Sequence, residues 1–448
     1  MADFNQGVKD FLKIHPNLSH LDVLIIDLCG NAIGKRLPAS SLASVFEHGS
    51  PVCGAMQLVD VLGNTNDPMG YGFSDGDPDA YAIPIPGTLS PVPWLSGDKC
   101  QVLCEFIDAK NTSPLWYEPR QVLKKVLQKF SELGLTPRLA VELEFYLIDP
   151  ARDSSGIPQP AKSPRTGLTE TGGRVLSLDK LDEFDAVLKQ IEDSCHSQGI
   201  PTTSMISEYG AGQFEINLQH QDDIMAAADH AVLLRRAVQG VSRAMGYDAT
   251  FMSKPFAGQS GNGMHIHLSL IDRNGNNVFE HDSNTLNQSI AGLQATMAES
   301  LAVFAPNVNA YRRFKPDEFV PVTKDWGENN RSVAFRIPPS DPANRRIEHR
   351  ISGAEANPYL VIACILSGIH YGISQGLDSG NPHSGNAGSE VDESLPSTIW
   401  QAISAMRQAT VLPQYLGSEY LDIYCDVKQA EFAAFMEDIH TREYEWYL

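Results

Sequence analysis

What is scarce in these 448 residues narrows the possibilities first. Cysteine occurs seven times, an odd number, scattered at Cys29, Cys53, Cys100, Cys104, Cys195, Cys364 and Cys425. That excludes a disulfide framework and a zinc-type spacing, and it reads as the reduced thiols of a cytoplasmic protein. The one close pair, Cys100 and Cys104, lies in the strand-like run QVLCEFID, where packing residues are expected. Positive charge is in deficit: 34 Lys and Arg stand against 55 Asp and Glu, a formal net charge of −21. This argues against a general binder of nucleic acid or of anionic membranes. No run approaches the roughly 18 apolar residues that a membrane span needs. The opening stretch, MADFNQGVKDFLKIHPN, has no basic segment leading into an apolar core, so no signal peptide is expected. Apolar residues are plentiful, at 42%, enough for a large core.

Along the chain, DVLIIDL (22–28) reads as a strand, 31–35 as a turn into a second strand, and 99–108 as a third. The Gly-, Pro- and Asp-rich stretch 63–97 is expected to be mostly loop. Amphipathic or apolar helices are expected over 119–133, 178–197, 224–245, 287–304 and 356–373, and an exposed loop over 381–395. No internal repeat is present. The fold class is α+β, with a small N-terminal unit over 1–112 and a larger unit over 113–448.

Four segments set charged or imidazole groups on alternate residues of an apolar run: Val141–Tyr146, Gln213–Asn217, Met264–Ser269 and Arg346–Arg350. Alternate residues of a strand share a face. Glu142 and Glu144 therefore oppose Leu143 and Phe145. His265, His267 and Ser269 oppose Ile266 and Leu268, and Arg346, Glu348 and Arg350 oppose Ile347 and Ile351. Four such strands predict a sheet with one apolar face and one lined by carboxylates, imidazoles and guanidiniums.

Carboxylates within apolar strands are costly unless paired or metal-bound. Glu142, Glu144, Glu208, Glu215 and Glu348, with His265 as the one nitrogen donor, suit Mg²⁺ or Mn²⁺ far better than a structural zinc. Arg313, Arg331, Arg336, Arg346 and Arg350 are candidate clamps for carboxylate and phosphate groups. Ion-pairing with the same glutamates is the structural alternative, and some arginines are expected to do both. In Ser260-Gly-Asn-Gly-Met-His265 the glycines allow close approach of backbone to a ligand.

The segments VELEFYLID, SEYGAGQFEINL, SGNGMHIHLSL, ENNRSVAFRIP and NRRIEHRISGAEANPYL resemble, in order and spacing, the signature stretches of glutamine synthetase, over about residues 22–375. The resemblance implies a small N-terminal β-grasp domain, a larger catalytic domain with a curved antiparallel sheet flanked by helices, and active sites between subunits of a homo-oligomer, a hexameric ring or a dodecamer of two rings. It implies two or three Mg²⁺ or Mn²⁺ ions per site, with ATP as co-substrate. By motif, Glu144, Glu208 and Glu215 resemble the ligands of one metal, and Glu142, His265 and Glu348 those of another. Gly261, Arg313 and Arg350 would hold glutamate, and Arg331, Arg336 and Arg346 the ATP phosphates. His267 and Ser269 would lie by the nucleotide. Arg331 and Arg313 are the catalytic candidates. The chemistry implied is conversion of the γ-carboxylate to an acyl phosphate, followed by attack of an amine.

The chain departs from the ammonia-using pattern at the amine pocket. Cys53, in Pro51–Gln57, stands where those enzymes have an ammonium-binding aspartate, and Phe319 stands at the flap glutamate, with Glu318 adjacent. A site walled by Cys53, Met56 and Phe319 would leave bare NH₄⁺ uncompensated, so an organic primary amine is the expected partner. A polyamine would want acidic partners such as Asp317 or Glu318, whereas the apolar substitutions favour a monoamine with a hydrophobic tail. Ammonia is the alternative if Glu318 occupies the flap position. Ser260 replaces a common Asn beside glutamate. Residues 380–398 contain no tyrosine, so no adenylylation loop is expected. A non-catalytic relative would have lost a metal glutamate or a phosphate arginine, and none is missing. A guanidino kinase would lack the Met-His-Ile-His stretch.

Overall fold

Two sheets organise the chain, and the computed structural model describes residues 2–154, 156–170 and 172–448. The first sheet contains β1 (His20–Ile26), β2 (Ala32–Pro38), β3 (Ser50–Cys53), β4 (Asp79–Pro84), β5 (Ser90–Pro91) and β6 (Lys99–Asp108). Its order is β2-β1-β6-β4-β3, with β5 also on β6. Only β1 and β6 run parallel. The stretch expected to be loop, 63–97, thus contributes β4 and β5. In β4, Ala80 and Ala82 turn into the core while Asp79 and Tyr81 face out, a short alternation that Pro and Gly on either side obscure.

The second sheet holds β7 (Thr136–Arg152), β8 (Pro158–Pro160), β9 (Thr202–Ser207), β10 (Gln213–Leu218), β11 (Asp248–Thr250), β12 (Met264–Ile271), β13 (Trp326–Glu328), β14 (Phe335–Ile337) and β15 (Ile347–His349). The order is β13-β14-β15-β12-β7-β10-β9, with β8 and β11 also on β7. Every pair is antiparallel except β13 with β14. The apolar face is aromatic: Phe145 packs on Phe214 and Phe251, with ring centroids 6.1 and 5.6 Å apart. His349 points the same way, onto Phe304, and burial holds its pKa down to about 3.

Helices back this face. Ser283–Phe304 lies against Pro358–Gln375, and the crossing is closed by glycine: a Cβ on Gly292 would come within 1.9 Å of the Gly368 carbonyl oxygen. The helix expected over 178–197 is two, Leu178–Glu183 and Asp185–Ser197. They part at Phe184, whose ring turns inward onto Phe214. Helices at Ala2–Ile14, Ile399–Arg407, Ser418–Glu437 and Thr441–Tyr447 were not expected from the sequence. Among the described residues no helix is long and apolar enough to cross a membrane. All seven cysteines are free, and Cys100 and Cys104 are packed in the core.

Candidate active site

Residues in register on antiparallel neighbours share a face, so strand pairing sets the composition of the polar side. Glu348 of β15 stands between Arg336 of β14 and His267 of β12. His265 of β12 and Asn217 of β10 stand on either side of Glu142 of β7, and Glu215 of β10 stands opposite Glu144. The four alternating segments therefore converge on one bowl.

Within it, donor atoms close to 4.8 Å in three groups: Glu144, Glu208 and Glu215; Glu142, Glu215 and His265; and Glu142, His267 and Glu348. The first is the set the sequence suggested. The second set divides, because Glu348 meets Glu142 through His267 rather than through His265. His267 Nε2 lies 2.8 Å from Glu142, and its Nδ1 accepts from Arg346 Nε at 3.1 Å. His265 Nδ1 is 3.4 Å from the other oxygen of Glu142.

The electrostatics record the crowding. Burial, then the neighbouring Glu144, pushes Glu208 up to about 7. Burial, then Glu142 and Glu144, pushes Glu215 well above the usual carboxylate range. Burial would raise Glu142 too, yet His267 and His265 hold it well below that range. Repelling carboxylates around a common point are the donor set of a hard divalent cation, which fits Glu144, Glu208 and Glu215 directly.

The arginines stand around the same bowl. Arg336 Nη1 donates to Glu348 at 2.6 Å, and Arg350 Nη1 donates to the other oxygen of that carboxylate. Burial opposes ionisation of Glu348, but Arg350 wins and holds it at about 2. Arg313 is 2% exposed, and its Nη1 donates to the Ile351 carbonyl. It runs alongside Gly261, where a Cβ would sit 2.7 Å from its Cγ, so this glycine is required for the guanidinium to enter. The Nε–H groups of Arg313, Arg336 and Arg350 are buried and find no acceptor among the described residues. Arg331 is exposed and acts on Glu208 only through its field. Ser269 is buried on β12, two residues beyond His267. Ser260 contributes its carbonyl to the Tyr146 hydroxyl at 2.8 Å.

The four amine-pocket residues come from two parts of the fold. Cys53 and Met56 lie at the end of β3 and in the turn after it, in the first sheet. Glu318 and Phe319 lie on the flap after Arg313, beside the second. Among the described residues no hydrogen bond, ion pair or ring contact joins the two pairs. Cys53 is also less apolar in setting than expected: burial first, then Asp77 and Asp79, pushes its thiol up. Glu318 holds the buried Lys254 at 3.2 Å, and Asp317 accepts from Asn386 at 2.9 Å. Phe319 stacks on Tyr209, and its carbonyl accepts from Arg350 at 3.4 Å. The loop 381–395 is not simply exposed: Ala387 and Gly388 are buried, and the Gly388 carbonyl accepts from the Asp317 backbone.

Tyr209, His220 and Lys254 were not singled out from the sequence. Tyr209 follows Glu208 directly, an aromatic residue in a Gly-rich turn that could have drawn notice. His220 lies 6.3 Å from the His267 ring, with burial lowering its pKa to about 4, and it shares a 300 Å³ recess with Glu142, Asn217 and Arg346.

Residues 116–447 match the family model of the glutamine synthetase catalytic domain. The chain belongs to the glutamine synthetase family. It is 40% identical to γ-glutamylputrescine synthetase PuuA of Escherichia coli (strain K12), over 99% of this chain and 95% of that protein. It is 31% identical to a glutamate–isopropylamine ligase of Pseudomonas sp, over 98% and 97%. A solved structure titled as a GmaS/ADP complex superposes with a TM-score of 0.83 at 28% identity, covering 98% of this chain and 99% of that one. Membership of the glutamine synthetase family makes this chain an enzyme of the ligase class.

Proposed function

We propose that this ligase joins the γ-carboxylate of glutamate to an organic primary amine at the expense of ATP, giving a γ-glutamylamide, ADP and phosphate. The observation that carries it is the set of buried Nε–H donors of Arg313, Arg336 and Arg350 that find no acceptor among the described residues, beside the three groups of metal-donor side chains. Buried donors without partners are costly, and an anionic substrate supplies the missing acceptors. Glu144, Glu208 and Glu215 would hold one Mg²⁺ or Mn²⁺, and Glu142 with His265, His267 and Glu348 would hold further ions. Bound there, a divalent ion neutralises charge on the transferring phosphoryl group.

The chain's own residues do the rest. Arg313 and Arg350 bind and orient glutamate next to Gly261. Arg331, Arg336 and Arg346 hold the phosphates, with His267 and Ser269 by the nucleotide. A γ-carboxylate oxygen attacks the terminal phosphorus, and the bond to the ADP oxygen breaks. The amine attacks the acyl carbon as the free base, its ammonium proton having passed to water; the acyl–oxygen bond to phosphate breaks, and the proton released as the amide forms goes to the leaving phosphate or to water. Arg331, free in water and close enough to act on Glu208, is placed to follow charge onto the phosphoryl group.

We assign a β-grasp domain to residues 1–112 and the catalytic domain to 113–448, supported by the two sheets and by a family match that begins at residue 116. The enzyme is a ring-shaped homo-oligomer in the cytoplasm. The placing of Cys53 and Met56 on the first sheet and of Phe319 beside the second, with no hydrogen bond, ion pair or ring contact between them among the described residues, supports a pocket completed by a neighbouring copy. Seven free cysteines support the compartment. An organic amine is supported by Phe319 on the flap and by the two amine-ligase relatives. Ammonia is the second reading, favoured by Asp77 and Asp79 beside Cys53. Phosphate release from ATP, Mg²⁺ and glutamate is the test, with ammonia, putrescine, spermidine, ethanolamine and isopropylamine as acceptors. An organic amine is expected to exceed ammonia in kcat/KM, and the reverse order would sink the proposal.

A further inference from the structure

We propose that Tyr209 and Phe319 form an aromatic platform that reads the aliphatic stem of the amine, with Tyr209 as a specificity-determining residue. This rests on the amine-ligase reading above. The two rings stack with centroids 6.2 Å apart and planes inclined by 29°. They are 53% and 59% exposed, although large aromatic residues ordinarily bury their area.

Their backbones are not loose. Glu208, one residue before Tyr209, belongs to the carboxylate trio, and its N–H donates to Gln213 at 2.9 Å. On the other side the flap is tethered by the Asp317 N–H on the Gly388 carbonyl, by Glu318 on Lys254, and by the Phe319 carbonyl on Arg350. Arg350 in turn is fixed on Glu348. The groups that build the bowl therefore also hold these two rings at its rim, open to what enters.

Because the rings stack on each other, they offer one continuous surface rather than a slot. Such a surface takes methylene groups by dispersion and an ammonium through the ring quadrupole. Ammonia, with no carbon, gains little from it. The substrate class is a primary amine on an aliphatic stem. Glu318 is already paired with Lys254, whereas Asp317 is exposed and accepts from Asn386 on one oxygen only, so a second charge on the stem finds one open acid on this flap.

The test uses the full-length enzyme with Mg²⁺, ATP and glutamate, and methylamine, butylamine and 1,4-diaminobutane as acceptors. The wild type should prefer butylamine over methylamine by about tenfold or more, as a few methylene contacts permit. Tyr209→Ala should lower that ratio by about tenfold, while KM for ATP and glutamate moves less than about twofold. Tyr209→Phe should keep the ratio. Phe319→Ala should act in the same direction as Tyr209→Ala. A ratio unchanged in both alanine variants overturns the platform, whatever happens to the oligomer on a sizing column, and so does an equal loss for both amines. A wild type that releases phosphate only with ammonia sinks the amine-ligase reading itself, an outcome distinct from a discriminating wild type whose variants discriminate equally well.

Discussion

Strands β7, β10, β12 and β15 and the flap Arg313–Pro321 border the same bowl, but they hold their side chains by different means. On the strands the ladder fixes each residue opposite a named partner, Glu144 to Glu215, Glu142 to His265 and His267 to Glu348. On the flap, Asp317, Glu318 and Phe319 are each held by a separate long-range tether. A ladder is cooperative and tolerates no slip, since one residue of shift would turn every carboxylate into the core. Tethers can be changed singly. The strand face is thus suited to holding reacting groups in one fixed geometry, and the flap to changes made one residue at a time.

The largest effect should come from the strand face. Glu215→Ala removes one of the two carboxylates, with Glu142, that each serve two of the three donor groups, and phosphate release should fall by about 10³-fold, several kcal/mol of transition-state stabilisation. Mn²⁺ titration by calorimetry should show at least one binding step lost. In the wild type, chelation should abolish activity and lower the melting temperature, because binding to the folded state alone adds stability. A variant that binds Mn²⁺ and turns over normally would remove the distinction between the two regions.

Next in size is a matched pair of broken ion pairs. Arg350→Ala strips Glu348, which is 1% exposed, of one of its two guanidiniums, and should destabilise the fold by about 3 kcal/mol in urea. Glu318→Gln removes the partner of Lys254 on the flap. Glu318 is about a third exposed, but Lys254 is buried; the glutamine amide oxygen can still accept from its ammonium, so the cost should be about 2 kcal/mol, below that at Arg350. Equal costs would mean that the flap is as cooperative as the sheet.

The same contrast decides what could be seen in the sequence. Glu142, Glu144, His265, His267 and Glu348 were legible because strand geometry translates a period of two directly into a shared face. The helix at 119–133 was legible from its periodicity, its opening proline and the glycine after it. The split of the second metal group was not legible, since which histidine bridges Glu142 to Glu348 depends on the β12–β15 register. The pairing of Lys254 with Glu318 spans 64 residues and two loops, with no pattern to announce it. The strands at 79–84 and 90–91 were hidden by Gly and Pro that serve the turns around them, and the apposition of Gly292 to Gly368 depends on how two helices cross.

The smallest and most informative effect concerns Cys53, the residue on which the choice between ammonia and an organic amine first turned. Cys53→Asp would put a carboxylate where the ammonia-using pattern has one. If an uncharged residue here is what excludes NH₄⁺, the ratio of kcat/KM for ammonia over butylamine should rise. The rise should be limited to about fivefold, because Asp77 and Asp79 already stand beside this position and a third carboxylate raises local repulsion by about 1 kcal/mol at contact distance in water. A change of that size, with KM for ATP steady, would show that the first sheet contributes to amine choice although Phe319 lies on the flap beside the second. No change in the ratio would leave amine choice to the flap alone, with Asp77 and Asp79 as bystanders of a structural turn.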